Sequence, residues 1–317
     1  MRPIPCLLSI ILTFLAVFSV AKAGVTVIPL NSNDKNAQDF PFVGSLVNIN
    51  TGASGSAVVI GDGSHIITAR HVITHDGTQE GLVLEGANFV FTLEGEGFLV
   101  ERVFANESSD VAILKLIKKA PCSIKLYNSE DSLNKDFYGV GFGKGSTMAC
   151  SNLIIWDLPY GTKRIFKNTI LGSRYEIRIS NNKITLEKKL FFVLRESGNS
   201  FYKPIEGEGM HGPGDSGGGI FINNNGNMEL VAIINSILPQ SPIAGFVADL
   251  YYCKSWIESI VPNSFADKQS IKLKIDPSIV AGTAVFSVLC IKREQVYAIY
   301  TFTRRKKLTL LKSRRVA

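Results

Sequence analysis

The amino-acid sequence predicts an all-β body, either a sandwich or a pair of barrels, that ends in a single helix. Between residues 42 and 247, short runs of β-favouring residues alternate with Gly, Asn and Asp, and almost no segment has the 3.6-residue period of a helix. The clearest hairpin joins residues 219–222 to residues 228–234 through Asn225-Gly226, a pair that readily adopts the positive φ angles of tight turns. Many short strands separated by turn signals are typical of sandwiches and barrels.

The strand and helix patterns set the limits of this body. Runs with the strand pattern include residues 43–47, 56–60, 89–93, 98–104, 111–116, 175–179 and 189–194. A helical pattern first appears at residues 249–260, where Leu250, Trp256 and Ile257 fall on one face. Because Pro262 lies just past this stretch, we expect a main domain of residues 24–262.

The N-terminus has the features of an export signal. Arg2 precedes an apolar run from residue 6 to residue 20, and Ala21 and Ala23 then form the A-x-A pattern of a cleavage site. A membrane anchor is the alternative, but this run of 15 residues is shorter than the roughly 20 that a spanning helix needs. We therefore expect a signal peptide of residues 1–23, cleavage after Ala23, and a secreted or periplasmic protein.

Four cysteines remain after this cleavage: Cys122, Cys150, Cys253 and Cys290. An exported chain meets oxidising conditions, so disulfide bonds are permitted, and four cysteines allow three pairings. We prefer a bond between Cys122 and Cys253, because it would tie the middle of the domain to its C-terminal helix.

The basic charge lies in a C-terminal extension, residues 263–317. Of the formal net charge of +7, this extension contributes +9, from twelve Lys or Arg and three Asp or Glu, which leaves residues 24–262 at −4. The body therefore gives no basis for a nucleic-acid partner.

The extension itself has β-rich runs at residues 283–291 and 295–302, and we favour a small β-rich appendage. The alternative is association with a membrane or cell surface through the apolar stretch 279–291 and the basic cluster 304–307. Thirteen apolar positions are too few for a membrane span.

Among the four histidines, His71 is the best candidate for a general base. It lies where a β-run ends and a polar loop begins, the place where a barrel would expose an imidazole at its rim. His65 falls inside the run, which favours a structural role. His75 lies in a Thr-His-Asp-Gly turn that we expect to be solvated.

Ser216 is the candidate nucleophile, within Gly-Pro-Gly-Asp-Ser-Gly-Gly at residues 212–218. A serine hydroxyl needs a nearby base and donors for the developing oxyanion, and flanking glycines let backbone N–H groups turn into one small cavity. Two alternatives are a Gly-rich surface turn and the nucleophile elbow of α/β-hydrolases. The latter places its histidine after the serine, and no histidine follows Ser216.

Asp110 completes the order His, Asp, Ser, just before the alternating apolar run 111–116. A carboxylate there can accept the imidazole N–H, fix its tautomer and stabilise the imidazolium. On its own, a solvated aspartate at the start of a strand would be the simpler interpretation.

The motifs Thr-Ala-Arg-His ending at His71, Asp-Val-Ala-Ile-Leu-Lys-Leu beginning at Asp110, and Gly-Asp-Ser-Gly-Gly around Ser216 resemble those of trypsin-like serine proteases in order and spacing, over residues 28–260. The resemblance implies two six-stranded antiparallel β-barrels with a catalytic triad in the cleft between them, followed here by the C-terminal helix and the small β-rich or membrane-associated tail. It implies that His71 and Asp110 come from the first barrel and Ser216 from the second.

The resemblance also implies that the backbone N–H groups of Gly214 and Ser216 form the oxyanion hole and that Asp215 is a buried acid that orders the loop. Several features depart from the family pattern, and two of them lie outside the substrate pocket. Residues 27–30 lack the preceding basic residue of an activation site, so the partner of Asp215 stays open, and Val72 stands where the family usually has a disulfide-forming cysteine.

The same carry-over gives the substrate-binding residues Met210, Asn235, Ser236 and Ile237. Met210 occupies the pocket-base position, where an aspartate would select Arg or Lys, and methionine is apolar. We therefore expect a preference for uncharged residues. For His211, a solvent-facing loop position is preferred, and a pocket wall that reads the substrate is the alternative.

These observations together predict an exported serine endopeptidase, a hydrolase that cleaves peptide bonds through an acyl-enzyme. The alternative is a non-catalytic binding protein on the same fold. We expect protein or peptide substrates and no nucleic-acid partner. No clustered Cys and His set or acid-rich loop predicts a metal, and no cofactor is expected.

Overall fold

The structure is a computed structural model, and it describes residues 25–26, 35–146, 148–150, 153–180, 183–194, 205–238 and 244–267. Most of these residues form antiparallel strands. In chain order the strands are β1 (Val25–Thr26), β2 (Val43–Asn48), β3 (Ser54–Ile60), β4 (His65–Thr68), β5 (Phe89–Leu93), β6 (Glu96–Ala105), β7 (Ala112–Leu116), β8 (Asp136–Gly141), β9 (Met148–Cys150), β10 (Leu153–Ile155), β11 (Arg164–Thr169), β12 (Gly172–Ser180), β13 (Lys183–Val193), β14 (Gly209–Met210), β15 (Gly219–Asn224), β16 (Asn227–Leu238) and β17 (Ala244–Asp249). One α-helix follows, α1 (Lys254–Ile260).

Strands β2 to β7 close into a six-stranded antiparallel barrel in the order β2-β3-β4-β7-β6-β5. Along β5, buried residues alternate with partly exposed ones, so one face of the strand points into the barrel. Leu46, Phe91 and Phe98 lie in this core, and the Phe91 and Phe98 rings are 6.2 Å apart. The first predicted barrel is confirmed.

Seven strands form the second body, in the order β11-β8-β15-β16-β17-β13-β12. Its core includes Phe137, Phe166 and Phe192, whose ring centroids lie 4.9 to 5.9 Å apart. Where the resemblance implies a second six-stranded barrel, the described strands form an open sheet with β12 at its edge. β17 pairs only with residues 189–193 of β13, so the outer part of the β12–β13 hairpin extends past it.

An aromatic cluster joins the barrel to the second sheet. Phe40 and Phe42, just before β2, pack against Phe221 on β15 with ring centroids 5.0 and 5.3 Å apart. Phe40 also contacts Tyr138 on β8 at 5.8 Å. Burial of these large apolar rings stabilises the contact between the two bodies.

The turn between β15 and β16 is the one that the sequence predicts. Asn225 and Gly226 have φ angles of 54° and 92°, and a two-residue hairpin turn of this kind requires positive φ at both positions. The strands pair on both sides of it, from Gly219 opposite Ile233 to Asn224 opposite Asn227. This hairpin prediction is confirmed.

The C-terminal helix is shorter than the sequence pattern predicts. It begins at Lys254 and not at Asp249, because Asp249 is the last residue of β17, where its carboxylate pairs with Lys188 at 2.9 Å and accepts the backbone N–H of Tyr251 at 3.0 Å. These contacts hold residues 250–253 in turns before the helix begins.

The preferred disulfide bond between Cys122 and Cys253 is wrong, since both are free thiols. Cys253 is buried just before the helix, and its Sγ lies 3.1 Å from Ser109 Oγ, so it points toward the start of β7. Burial is the main cause that raises the pKa of the Cys253 thiol to about 12. The side chains of Cys150 and Cys290 lie outside the described residues.

The described body continues slightly past the predicted domain end at residue 262. Phe265 is buried and forms an isolated parallel β-bridge with Leu126. The predicted signal peptide and the extension from residue 268 onward lie outside the described residues, so their roles stay predictions. Within the described ranges, no helix is long and apolar enough to cross a bilayer.

Candidate active site

His71 and Asp110 meet because their strands are neighbours. Thr68 at the end of β4 pairs with Ala112 at the start of β7, so the chain on either side of this pair stays close. Asp110 Oδ2 lies 2.8 Å from His71 Nδ1, and Asp110 Oδ1 accepts the backbone N–H of His71 at 2.9 Å. The carboxylate therefore holds both the backbone and the ring of the histidine, and this fixes the ring's orientation.

Asp110 is fully buried and accepts further hydrogen bonds from two amide side chains. Gln79 donates its Nε2–H to Asp110 Oδ2 at 2.7 Å, and Asn235 donates its Nδ2–H to the same oxygen. Burial alone would raise the pKa of Asp110, but the hydrogen bonds and charge of His71, with the charge of Lys189, lower it to about 2. Asp110 is thus a carboxylate at any pH near neutrality.

The Ser216 loop is fastened to β3 of the barrel. Ser56 donates its backbone N–H to the carbonyl oxygen of Ser216 at 2.7 Å and its hydroxyl to that of Gly214 at 3.2 Å. Gly217 has a φ of +82°, and a Cβ there would lie 2.0 Å from Thr68 Oγ1, so only glycine permits this approach. Thr68 is three residues before His71, which places Ser216 at the same junction as the His71–Asp110 pair.

The hydroxyl of Ser216 does not reach His71 in this structure. Ser216 Oγ donates to the carbonyl oxygen of Asn235 at 3.4 Å, a long contact, and the described side chains include no hydrogen bond between Ser216 and His71. The structure therefore gathers the three predicted triad residues at one junction but joins only two of them.

The backbone N–H groups of the Ser216 loop divide into those that are hydrogen-bonded within the protein and those that are not. The N–H groups of Asp215, Gly217 and Gly218 are used within the protein, by the carbonyl oxygens of Gly212, Ile234 and Asp215. In the described part of the chain, those of Gly214 and Ser216 have no acceptor. An unused pair of N–H groups beside a serine is what an oxyanion hole requires.

Asp215 has partners within the chain. Its Oδ1 accepts the N–H of Gly143 and its Oδ2 the N–H of Gly212, both at 2.7 Å. Burial raises the pKa of Asp215 to about 6, although these two bonds and the charge of Arg164 act in the opposite direction. Arg164 is itself buried on β11 and donates from Nη1 to the carbonyl oxygen of Gly143. These contacts answer the question that the sequence leaves open about Asp215.

The residues of this site lie within a segment that matches a known protein family. The model of the trypsin-like peptidase domain matches residues 55–233, more than half of the 317-residue chain, and this span includes His71, Asp110 and Ser216. The chain belongs to the trypsin-like peptidase family.

Among solved structures, the peptidase is similar to the Rv3671c protease from M. tuberculosis in its active form, with a TM-score of 0.50 and 15% sequence identity over 78% of this chain and 94% of that chain. At this identity the likeness concerns the fold, which is trypsin-like as the sequence predicts. A search of curated proteins gives no match.

The predicted substrate-binding residues have different surroundings in the peptidase. Met210 is fully buried in the core of the second sheet and has no accessible surface, whereas Ser236 is exposed and Ile237 is partly buried. The side chain of Asn235 is occupied by Asp110 and by the N–H of Ala248. Only the backbone of Asn235, and not its side chain, is therefore available to contact a substrate.

His211 is buried, so the preferred prediction that it faces solvent in a loop is wrong. Its Nε2 lies 3.0 Å from the carbonyl oxygen of Ser236, and its ring lies 6.4 Å from Phe166 and 5.7 Å from Phe192. Burial lowers the pKa of His211 to about 4, so the ring is neutral near pH 7. No described group forms a hydrogen bond with Nδ1.

Sequence reasoning missed several residues that hold the site together. Gln79, Glu187 and Arg164 carry no local pattern that would mark them, since each contacts a residue far away in sequence. Asn106 did have a recognisable signal, as it begins an N-x-S sequon, but it is buried, and its Oδ1 accepts the N–H groups of Ser108 and Ser109. This cap shapes the turn that presents Asp110.

Proposed function

We propose that this trypsin-like peptidase is a serine endopeptidase with His71, Asp110 and Ser216 as its catalytic triad. The observation that carries the proposal is the double attachment of His71 to Asp110, through its ring and its backbone, beside a serine loop anchored to the same barrel. A histidine held in this way has its Nδ1–H bound to the carboxylate and its Nε2 free to accept a proton.

In this mechanism the Ser216 hydroxyl turns from the carbonyl oxygen of Asn235 toward His71 Nε2. Ser216 Oγ then attacks the substrate carbonyl, His71 takes its proton, and the negative charge on the carbonyl oxygen is bound by the N–H groups of Gly214 and Ser216. His71 returns the proton to the leaving amine, and water, activated by the same imidazole, hydrolyses the acyl-enzyme.

In this proposal the peptidase does not need a zymogen cleavage that frees a new N-terminal amine to pair with Asp215. In many members of the family a freed amine pairs with the acid before the serine, whereas here Asp215 is already bound by Gly143 and Gly212 and lies near the charge of Arg164. These internal contacts support a loop that is ordered from the start. N-terminal sequencing of active protein tests this point together with the proposed cleavage after Ala23 and export.

A fluorophosphonate probe tests the serine mechanism. We expect the folded protein to be labelled, and Ser216→Ala to abolish the labelling while keeping the circular dichroism spectrum of the parent. Labelling that persists in Ser216→Ala would assign the nucleophile to another residue.

For specificity we propose a preference for uncharged residues on the acyl side of the cleaved bond, because the position that governs charge selection in the family holds Met210, which is buried in the core, so no carboxylate from this position faces a substrate. Rates on matched peptides with Ala, Leu, Phe or Arg at that position test it. A dominant preference for Arg would contradict the proposal.

The contact of Ser216 Oγ with Asn235 favours a second candidate, a non-catalytic binding protein, because the nucleophile is not yet bonded to its base. A folded protein that no fluorophosphonate labels would support this candidate. Association of the basic extension with a membrane or surface is compatible with both functions. Comparing the cell fractions of the full chain and of residues 1–262 tests that association.

A further inference from the structure

The backbone of Asp110 is held by a carboxylate from the second sheet. Glu187 on β13 has no exposed surface, and its Oε1 accepts the backbone N–H of Asp110 at 2.7 Å. A carboxylate that accepts a backbone N–H makes a charge-assisted hydrogen bond, which is stronger than a neutral one. The two residues lie 77 positions apart, so this bond fixes the start of a barrel strand against the other body.

Lys189 brings a positive charge to this carboxylate. It follows Glu187 by two residues on β13, so both side chains lie on the same face of the strand. Lys189 Nζ is 3.7 Å from Glu187 Oε2 and 2.8 Å from Oε2 of Glu176, which lies opposite Glu187 on β12. Two buried carboxylates such as Asp110 and Glu187 are costly without a neighbouring cation, and Lys189 offsets part of that cost.

The orientation of the hairpin argues for a purpose beyond packing. An antiparallel sheet with one solvated face normally buries its apolar side chains and exposes its charged ones. The outer part of the β12–β13 hairpin does the reverse, whereas farther along the Leu186 face of β13 the side chains of Leu190 and Phe192 are buried in the core as usual. Glu187 and Lys189 point inward, while Tyr175, Ile177 and Leu186 on the other face are 58%, 69% and 49% exposed. In this outer part of the hairpin, the cost of burying Glu187 and Lys189 has to be offset by the contacts that these two side chains make.

We propose that Glu187 and Lys189 are positioning residues for the triad. Glu187 fixes the backbone of Asp110 so that its two carboxylate oxygens meet the backbone N–H and the Nδ1–H of His71. Lys189 offsets the charge of Glu187, which would otherwise stabilise the imidazolium form of His71 and keep the base protonated to higher pH. This inference rests on the proposed triad and adds to it two residues from the opposite body.

Other charged and titratable groups also face this pair and contribute to the same field. Besides Asp110 they are Glu176, which pairs with Lys189, Arg174, which pairs with Glu176, and Cys253, whose thiol interacts with the charge of Glu187. Asp249 pairs with Lys188 on the opposite face of β13 and reaches this region only through its interaction with Cys253. The Cys253 thiol stays neutral, and each variant below leaves all of these groups in place.

Four variants of the full-length chain test the proposal. Lys189→Met should move the acid limb of the kcat/KM profile to higher pH by about half a unit to one unit, because an uncompensated carboxylate favours the imidazolium. Glu187→Gln keeps an oxygen that accepts the Asp110 N–H but removes the charge, so the limb should move the opposite way. Lys189→Arg should restore the parent profile. Lys188→Met is the matched control, since Lys188 is on the opposite face of β13 and pairs with Asp249.

The midpoint of the His71 ring titration, followed by NMR in the same variants, gives a readout that needs no turnover. If the parent protein shows no Ser216-dependent hydrolysis or labelling, the proposed function fails, while the NMR midpoints still test the positioning role. Should Lys189→Met not fold, Glu187→Gln and Lys189→Arg still carry the comparison. Equal midpoints in the parent and Glu187→Gln proteins, or equal shifts in Lys189→Met and Lys188→Met, would overturn the proposal.

Discussion

Asp110 and Asp215 are both buried acids at the same junction, yet their surroundings move their pKa values in opposite directions. For Asp110, the bonds and charge of His71 outweigh burial and lower the pKa to about 2. For Asp215, burial outweighs two backbone N–H groups and the charge of Arg164, and the pKa rises to about 6. The difference lies in the bonded partner, because the ionisable ring of His71 bonds directly to Asp110, whereas Arg164 bonds to the carbonyl oxygen of Gly143 and acts on Asp215 only through its charge.

The contrast divides the site into a part that is insensitive to pH and a part that responds to it. With a pKa of about 2, Asp110 keeps its charge throughout the pH range in which Asp215 titrates, so His71 keeps its orientation there. Asp215 gains a proton just below neutrality, and its two acceptor oxygens hold the loop that carries Gly214 and Ser216. We therefore expect acid to act on the nucleophile loop before it acts on the His71–Asp110 pair.

The largest expected effect comes from removing the charge of Asp110. In Asp110→Asn, the amide that replaces one oxygen cannot accept the Nδ1–H of His71, so the ring adopts the wrong tautomer, and kcat should fall about 10,000-fold. Single-turnover rates on a peptide substrate measure the loss. A fall of only a few-fold in a correctly folded variant would remove Asp110 from the triad.

Removing the cation near Asp215 should have the next largest effect. Arg164→Met leaves Asp215 buried without its neighbouring charge and removes the charged donor to the carbonyl oxygen of Gly143, and loss of a hydrogen bond from a charged group typically costs about 1.5–3 kcal/mol of unfolding free energy. Arg164→Lys retains the charge and should recover part of it. Urea unfolding at pH 7 measures both variants, and Lys163→Met, which removes the adjacent side chain paired with Glu94, is the control. A loss no greater than that of the control would mean that Arg164 does not stabilise Asp215.

The two acids should also give opposite slopes of stability against pH. The folded pKa of Asp215 lies above its ordinary value of 3.8, so the folded state retains a proton that the unfolded state loses, and unfolding free energy should fall by about 3 kcal/mol as pH rises from about 4 to 6. The folded pKa of Asp110 lies below 3.8, so its contribution is present above that pH and is lost as pH falls toward 2.

His211 opposes the trend of Asp215, because its folded pKa of about 4 lies below its ordinary value of 6.5, and its neutral buried form gains stability as pH rises through that interval. The difference in unfolding free energy between the parent protein and Asp215→Asn therefore isolates Asp215. A difference that stays constant from pH 4 to pH 7 would contradict the raised pKa.

Local chemistry explains which features could be predicted from the sequence. The Asn225-Gly226 turn depends only on the φ angles of its own residues, and the His71, Asp110 and Ser216 motifs are contiguous segments, so both can be recognised without a structure. The start of the helix could not, because the pairing of Asp249 with Lys188 is a tertiary contact that overrides the helical pattern.

The residues that hold the site in place could not be predicted either, because their contacts are also tertiary. Alternation along residues 184–189 shows that the two faces of β13 differ, but it does not show which face is buried, and charged residues are normally the exposed ones. His211 was misplaced because its short-range surroundings are those of a glycine-rich loop, while Phe166 and Phe192 that enclose it come from distant strands.

The smallest expected effect concerns Gln79, one of the neutral donors to Asp110. Gln79→Ala removes a hydrogen bond at 2.7 Å but leaves the bonds from His71 and Asn235. A hydrogen bond to a charged group is worth about 1.5–3 kcal/mol. Because His71 and Asn235 still donate to the Asp110 carboxylate, only part of this is lost, and kcat should fall by about three- to tenfold with KM unchanged. Gln79→Glu is the sharper variant, since it places a second carboxylate against Asp110 and should reduce kcat much further at pH 7. If Gln79→Glu equals Gln79→Ala, the amide does not contact Asp110 in the working protein, and the low pKa of Asp110 depends on His71 and Asn235 without it.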